Sequence, residues 1–477
     1  MSDNLKEKTK KGLFWSAAGN FANQGITFVF SIILARLLSP DAYGVIGMLS
    51  FFICIVSVFI DCGFSQALIT KQNRTQTDFS TEFYFNIVVG FVGYLLLFLA
   101  SPYIAQFYKM PLLSPILKVV GLNVFINSLC VVQSAQFAIR LDFKTPSKIS
   151  VSTNIFSGII GIFLAYSGWG VWALVFQQFT STFLRCILLW IIAKWRPTKE
   201  FSKESFKYLW GYGSKILGSS LISQIYDNIQ PLIIGKAFSS RTLGLYSRAQ
   251  GFATLPSSNL SSILNNVTFP VLTKLQDEPL RLSTIYRRML KVTGFIVFPL
   301  MIGLAAVSDP LIKTLLNEQW YDCIILLKII CFSLIWQPIS AINLNILKAV
   351  KRPDIVLKLE FIKKPLGLLF LFVSSFFGII EFCLGNLCVC MFAVIVNTIY
   401  TSKVLNVPFR KQCIDLLQPF FYSTLMGCLV YLIVSHIDNS IIALLIGIIG
   451  GCFFYLIMSK LFMKDIMKDA LSMIRKK

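Results

Sequence analysis

The chain has 477 residues, of which 56% are hydrophobic and 14% are charged, whereas globular proteins are about half apolar and about a quarter charged. Its net charge is +22, but the basic residues lie in short segments between apolar runs, and no basic domain stands apart from them. This pattern excludes a soluble globular fold and argues against nucleic-acid binding.

Apolar runs that can cross a hydrocarbon core of about 30 Å as helices recur along the whole chain. Breaks at proline, glycine and charged residues divide them into about 14 transmembrane helices, which indicate an all-α polytopic membrane protein. In chain order the predicted spans are 12–37, 42–69, 81–106, 112–139, 148–167, 170–193, 208–236, 243–272, 289–308, 320–347, 355–377, 380–401, 415–435 and 439–460. The longest predicted outer loop lies near 309–319, which leaves no room for an external domain.

Placing the N-terminus in the cytoplasm puts most of the 44 Lys and Arg residues in cytoplasmic segments, as the positive-inside rule requires. An even number of spans returns the C-terminus, with its basic residues Arg475, Lys476 and Lys477, to the same side. No small-residue cleavage site follows a short apolar core near the N-terminus, so span 1 is predicted to remain in the mature protein. We therefore predict a multi-pass protein with both termini in the cytoplasm.

An internal repeat is indicated by similarity at an offset of 200 residues. The aligned pairs are Gln24 and Gln224, Ile33 and Ile233, Ser39 and Ser239, and Gly44 and Gly244. An even number of helices in each half makes the two repeats parallel in the membrane. We predict two parallel-repeat six-helix lobes, residues 1–200 and 201–405, followed by two C-terminal helices and a basic tail in residues 406–477. Chance similarity between two apolar sequences is the alternative.

Polar residues form stripes on the first helix of each predicted lobe. The stripe on span 1 is Asn20, Asn23, Gln24 and Thr27, and at the same offset span 7 carries Ser220, Ser223, Gln224 and Asp227. Ser219 of span 7 follows the same helical period as Lys215. Residues three, four and seven apart share one face of a helix. Single residues of this kind often join helices in membrane bundles. A stripe repeated in both halves favours a water-filled cavity between them, lined by spans 1, 2, 7 and 8.

Ionisable side chains at membrane depth cost at least about 2.5 kcal/mol each, so each suggests a function. The candidates are Asp61, Arg185, Lys215, Asp227 and Arg248. Lys215 and Asp227 can border the same face of span 7, whereas Arg185 and Arg248 lie nearer the ends of their spans, where anchoring is the favoured interpretation. No catalytic constellation, metal-ligand spacing or phosphate-binding loop occurs, so we expect neither an enzyme nor a cofactor or metal site.

The segment 227–291 carries strings typical of one family. They are Asp227-Asn228, Leu243-Gly244-Leu245-Tyr246, Leu255-Pro256, Phe269-Pro270 and Tyr286-Arg287-Arg288, joined in the N-terminal half by Ala35 to Pro40 with Tyr43-Gly44. The chain thereby resembles Wzx-type polysaccharide flippases, near the colanic-acid exporter branch of the multidrug/oligosaccharidyl-lipid/polysaccharide exporter superfamily. The resemblance covers essentially the whole chain.

That resemblance implies alternating access between two lobes and an undecaprenyl-diphosphate-linked oligosaccharide as cargo, carried across a bacterial inner membrane for surface-polysaccharide assembly. The Asn, Gln and Ser stripes would contact sugars, Lys215 and Arg248 would meet the diphosphate, and Asp61 or Asp227 would carry a coupling ion. Membrane lipids are implied partners, together with polysaccharide polymerase and chain-length machinery.

Three other functions remain open on the sequence alone. A drug/cation antiporter of the same superfamily would share the fold but favour acidic and aromatic cavity residues, whereas the charged residues here are mainly basic. A lipid II flippase would differ only in its substrate. A polysaccharide polymerase or ligase needs a long outer catalytic loop, which no predicted outer segment provides.

Overall fold

The computed structural model describes residues 2–61 and 63–475, and within them the chain forms helices and turns with no strand. The side chains of residues 2–14, 16–18, 61, 215, 262–271, 274, 353 and 473–475 lie outside that description. The all-α polytopic fold class predicted from the sequence is confirmed.

The chain divides into two compact units, Met1–Gly244 and Leu245–Lys477. The helices of the first unit are α1 (Ser2–Leu37), α2 (Pro40–Asp61), α3 (Phe64–Thr70), α4 (Gln76–Tyr108), α5 (Leu113–Ser128), α6 (Val131–Ile139), α7 (Lys144–Tyr166), α8 (Val171–Ala193) and α9 (Lys203–Ala237). The predicted lobe boundaries at residues 200 and 405 differ from this division, because α9 packs against α2, α3 and α4. Those boundaries stay a prediction.

The next helix, α10 (Ser240–Lys274), begins in the first unit and lies mainly in the second. The remaining helices are α11 (Pro279–Ala306), α12 (Ser308–Leu315), a 3-10 helix (Glu318–Trp320), α13 (Cys323–Leu334), α14 (Gln337–Ala349), α15 (Pro353–Ser374), α16 (Ile379–Leu405), α17 (Phe409–Ser435), α18 (Ser440–Phe462) and α19 (Lys464–Arg475).

Nine helices of the described chain are long and apolar enough to cross a bilayer, counting α2 with α3 and α13 with α14, and the bent pair α5 and α6 makes a tenth. The helices α1, α9, α10 and α15 are not among them. Each of the fourteen predicted spans has a helix or a broken helix at its position, but the number that crosses the membrane stays a prediction.

Several predicted boundaries are wrong in detail. The span predicted as 112–139 is two helices bent by 42°, and the span predicted as 42–69 is interrupted at Gly63, whose φ of +69° suits a residue without a Cβ. The predicted outer loop near 309–319 instead contains α12 and the 3-10 helix. Helix α1 begins ten residues before the predicted span because its Lys and Glu residues favour helix over coil.

The corner between α1 and α2 recurs 200 residues later between α9 and α10, and within the first unit the two corners touch. A Cβ on Gly44 would lie 1.7 Å from the carbonyl oxygen of Ser240, and a Cβ on Gly244 would lie 1.8 Å from that of Pro40. The Ser240 hydroxyl also donates to Asp41 at 2.6 Å. The backbones therefore meet at van der Waals distance through glycines placed 200 residues apart.

In the second unit, α11 packs along α17 and is fixed there by buried polar contacts. The Tyr286 hydroxyl, which is fully buried, lies 2.6 Å from Gln412 of α17 and 2.5 Å from Asn343 of α14. The last helix, α19, is amphipathic: Met463 before it and its own Ile466 and Ala470 are buried, and Lys464, Asp465 and Lys468 are exposed. An amphipathic helix of this kind is suited to lie at a membrane surface.

Candidate functional site

Two members of the predicted α1 stripe are occupied by contacts within the first unit. The amide nitrogen of Asn154 on α7 donates to Asn23 at 2.6 Å and approaches Thr27 at 3.4 Å. The Ser181 hydroxyl on α8 donates to the amide oxygen of Asn154 at 3.0 Å. This network joins α1, α7 and α8, so the association of these helices explains why Asn23 and Thr27 are polar. Asn20 is exposed on the same helix.

We expect Asn154→Leu to destabilise the protein by about 1 to 2 kcal/mol, because the polar groups of Asn23 and Ser181 lose their partner in a low-dielectric environment. Thermal unfolding in detergent measures the loss. Asn20→Leu is the matched control and should leave stability unchanged. Equal stability of both variants would show that the Asn154 network does not hold the three helices together.

The predicted polar stripe on α9 is largely exposed. Ser219, Ser223 and Asp227 are exposed side chains on this helix. Gln224 accepts a hydrogen bond from Asn228 at 3.1 Å and lies 3.3 Å from the thiol of Cys54 on α2. Polar side chains that face hydrocarbon are costly. This face of α9 is therefore suited to water or a polar ligand.

The other predicted site residues are only partly described. The side chains of Lys215 in α9 and Asp61 at the end of α2 lie outside the described residues. Arg248, in the second unit, lies over the buried Trp320 with its guanidinium carbon 5.4 Å from the ring centre. A cation–π contact of this kind fits the anchoring interpretation for Arg248. The roles of Lys215, Asp61 and Arg248 in transport stay predictions.

A polar cavity of about 490 Å³ lies inside the first unit. Its lining comes from α2, α3, the end of α5, α6 and α8. The lining residues with polar side chains are Ser57, Ser65, Asn127, Cys130, Ser134 and Arg185. A second cavity of about 180 Å³ shares Ser134 and Arg185 with it and reaches Asp142. Arg185 is thus the cation common to both cavities.

Arg185 lies eight residues before the end of α8, which is about 12 Å along the helix axis. Its side chain is exposed, and among the described residues no carboxylate lies within ion-pair distance of it. The nearby helix α6 begins at Val131, next to the cavity. The first turn of a helix has N–H groups without helical partners and a positive dipole end. The cavity therefore brings together a cation, the amide of Asn127 and the first turn of a helix, while the hydroxyls of Ser57 and Ser65 donate to other protein groups.

This cavity was not predicted from the sequence, which placed Arg185 among the charges at depth but favoured an anchoring role. The polar residues were visible in the sequence as Ser57 and Ser65 on the predicted span 42–69 and Ser134 on the predicted span 112–139. These serines come together around one cavity because the helix breaks after Ser128, where the chain turns without proline or glycine.

A buried carboxylate adjoins the same cavity. Glu82 of α4 is fully buried, and its Oε1 accepts a hydrogen bond from the hydroxyl of Ser65 at 3.0 Å. Because Ser65 also lines the cavity, this carboxylate connects α4 to the polar site. Within the described chain, no three His, Cys, Asp or Glu side chains gather as metal ligands would.

Comparison with known proteins gives matches along most of the chain. Residues 33–325 match the family described as polysaccharide biosynthesis protein. The chain is 27% identical to the teichuronic acid biosynthesis protein TuaB of Bacillus subtilis, over 68% of this chain and 66% of that one, just under two thirds of its length. It is 24% identical to the lipopolysaccharide biosynthesis protein WzxC of Escherichia coli over 88% and 86% of the two chains. It is 22% identical to the succinoglycan biosynthesis transport protein ExoT of Rhizobium meliloti over 100% and 97%.

Two kinds of solved transporter share the fold. The lipid II flippase MurJ, in an inward closed conformation, superposes with a TM-score of 0.75 over 95% of this chain and 100% of that one, at 17% identity. An inward-facing multidrug resistance MATE family transporter of the MOP superfamily gives a TM-score of 0.64 over 81% and 96%, at 14% identity. At these identities the likeness concerns the fold alone.

Proposed function

Since the chain belongs to the polysaccharide biosynthesis protein family, we propose that it flips undecaprenyl-diphosphate-linked oligosaccharide units from the cytoplasmic to the outer leaflet of a bacterial inner membrane. This membership and the match to WzxC confirm the resemblance drawn from the sequence. The chain is a multi-pass membrane transporter and not an enzyme. The flipped units would serve surface-polysaccharide assembly.

The observation that carries the proposal is Arg185 in its polar cavity. A diphosphate head group cannot enter about 30 Å of hydrocarbon without replacements for its water. An arginine offers charge-assisted, bidentate hydrogen bonds to phosphate oxygens. The hydroxyl of Ser134 and the amide of Asn127, which line the same cavity, replace further water contacts. We assign the diphosphate to this cavity during part of the cycle.

The exposed face of α9 supplies a second set of polar contacts suited to sugars. Ser219, Ser223 and Gln224 offer hydroxyl and amide groups along this face, and Lys215 belongs to the same helix. We propose that alternating access exposes these groups to each side of the membrane in turn. Coupling to an ion gradient would use a carboxylate: Asp61 and Asp227 are the residues predicted for it, and the buried Glu82 is a third.

The orientation rests on the distribution of basic residues, which favours both termini in the cytoplasm. In that orientation the end of α8 nearest Arg185 faces the cytoplasm, where the lipid-linked unit is assembled. Polysaccharide polymerase and chain-length machinery would then receive the unit on the outer side.

Deleting the gene is expected to abolish one surface polysaccharide and to accumulate its lipid-linked repeat unit at the inner leaflet. Glycan staining and extraction of lipid-linked sugars measure both, and the cloned gene should restore the polysaccharide. Normal glycan with increased sensitivity to cationic drugs would instead favour the antiporter. Cell death with accumulated peptidoglycan precursor would favour lipid II as the cargo.

A further inference from the structure

A further polar cavity, of about 400 Å³, lies in the second unit between α11, α17 and α19. It is separate from the cavity around Arg185. Its lining residues with polar side chains are Ser283, Thr284, Arg287, Arg288, Lys291, Asn406, Lys411 and Asp469. Four of these are cations, and the transport proposal uses none of them.

Carboxylates only partly neutralise these cations. Asp415, which is buried, receives two hydrogen bonds from Arg287, at 2.6 and 2.8 Å, and lies 3.2 Å from Lys291. Arg288 pairs with Asp469 of α19 at 2.6 Å. Lys411 has no ion pair among the described residues. Four cations thus face two carboxylates, and the cavity keeps a positive excess.

The donors around the cavity also exceed its acceptors. The Nε of Arg288 is buried and has no hydrogen-bond partner in the described chain. Asn406 adds an amide donor, whereas the hydroxyls of Ser283 and Thr284 already donate to the carbonyl oxygen of Leu280. Helix α17 begins at Phe409, beside the lining residue Pro408, so its positive dipole end lies at the cavity as well. An anion with several oxygens can accept hydrogen bonds from these donors and balance the excess positive charge.

The position of the cavity indicates what carries that anion. Its α11 residues lie near the start of this membrane-length helix. The amphipathic α19 adjoins it, with Arg288 donating to Ser472 at 2.8 Å. A helix of this type lies at the boundary between head groups and acyl chains. Basic pockets at this level, on the side richer in Lys and Arg, bind the phosphates of lipid head groups.

We propose that the cavity holds the phosphate group of a membrane lipid, bound by Arg288 and Lys411, with the amide of Asn406 completing the site. Two lipids offer this chemistry: an anionic glycerophospholipid of the bilayer, and the diphosphate-linked isoprenoid of the proposed cargo. In the first case the lipid fixes α19 against α11 and α17. In the second the cavity is a docking site for cargo before it enters the transport path.

The test is native mass spectrometry of the full-length purified protein with added phosphatidylglycerol in one arm and undecaprenyl diphosphate in the other. Arg288→Gln and Lys411→Gln should each lower lipid binding about fivefold in at least one arm, since each removes one cation at the membrane surface. The lipid whose binding falls in these variants is the one that occupies the cavity. Unchanged binding of both lipids to both variants would overturn the proposal.

Two variants separate lipid binding from loss of structure. Asp469→Asn breaks the same ion pair as Arg288→Gln but makes the cavity more positive, so it should keep or increase lipid binding. Arg281→Gln removes a cation from α11 outside the cavity, where Arg281 pairs with Glu278, and should change nothing. If Asp469→Asn lowers binding as much as Arg288→Gln does, the ion pair and not the positive charge is responsible, and the proposal fails. Because the readout is lipid binding, its failure leaves the transport proposal untouched.

Discussion

Arg185→Gln is expected to lower the transport rate roughly 30- to 150-fold while the amount of protein in the membrane stays the same. A hydrogen bond to a charged group contributes about 1.5 to 3 kcal/mol, and the upper part of that range corresponds to this loss. Because Arg185 has no ion-pair partner in the described chain, removing its charge leaves no carboxylate unpaired. The variant therefore lacks the usual cause of lost stability, which is a partner charge left without its counter-charge.

The experiment compares glycan production and protein level for three variants in a strain lacking the gene. Arg185→Lys should retain part of the activity, because it keeps the charge but not the bidentate geometry. Lys194→Gln, at the end of the same helix and exposed, should be fully active. Full activity of Arg185→Gln at normal abundance would show that this cavity does not bind the diphosphate.

Gly44→Ala is expected to slow transport roughly 5- to 150-fold, and Gly244→Ala to do the same. The new Cβ would lie within 2 Å of a backbone carbonyl oxygen in both cases, which no change of rotamer relieves. Overpacking of this kind costs about 1 to 3 kcal/mol. To make room for the added methyl group, the α1–α2 corner must move away from the α9–α10 corner. The contact between the two corners is then lost for most of the transport cycle.

Disulfide formation measures that separation directly. In a cysteine-free background, Asp41→Cys with Ser240→Cys should crosslink, and adding Gly44→Ala should reduce the yield in parallel with transport. Gly25→Ala is the control, because its added Cβ has no neighbour within 4 Å apart from the adjoining residues of its own helix. Unchanged crosslinking and transport in Gly44→Ala would show that the close approach of these backbones is not needed.

The sequence predicted the long helices well because hydrocarbon requires long apolar segments. It also placed the matching corners 200 residues apart, since Ser39 and Ser239 precede helices that begin at Pro40 and Ser240. It missed the break after Ser128 because no proline or glycine marks it; packing in the folded unit determines it. It missed α12 because eight residues of mixed polarity resemble a loop.

The candidate site was less predictable than the fold. Periodicity placed Asn23 and Thr27 on one face of α1, but their partner Asn154 is more than 120 residues away in sequence. Charge patterns identified Arg185 at depth, but whether an arginine meets a carboxylate or a cavity depends on neighbouring helices. Such contacts between distant residues need the tertiary structure.

Helix α1 has 36 residues and is therefore about 54 Å long, well beyond the thickness of the hydrocarbon core. A rigid rod of this length amplifies small rotations. Tilting it by about 10° around its midpoint displaces each end by roughly 5 Å. A spin label near Ser2 would therefore move by several ångströms when α1 tilts. A label at Asn23, close to the midpoint of the helix, would hardly move.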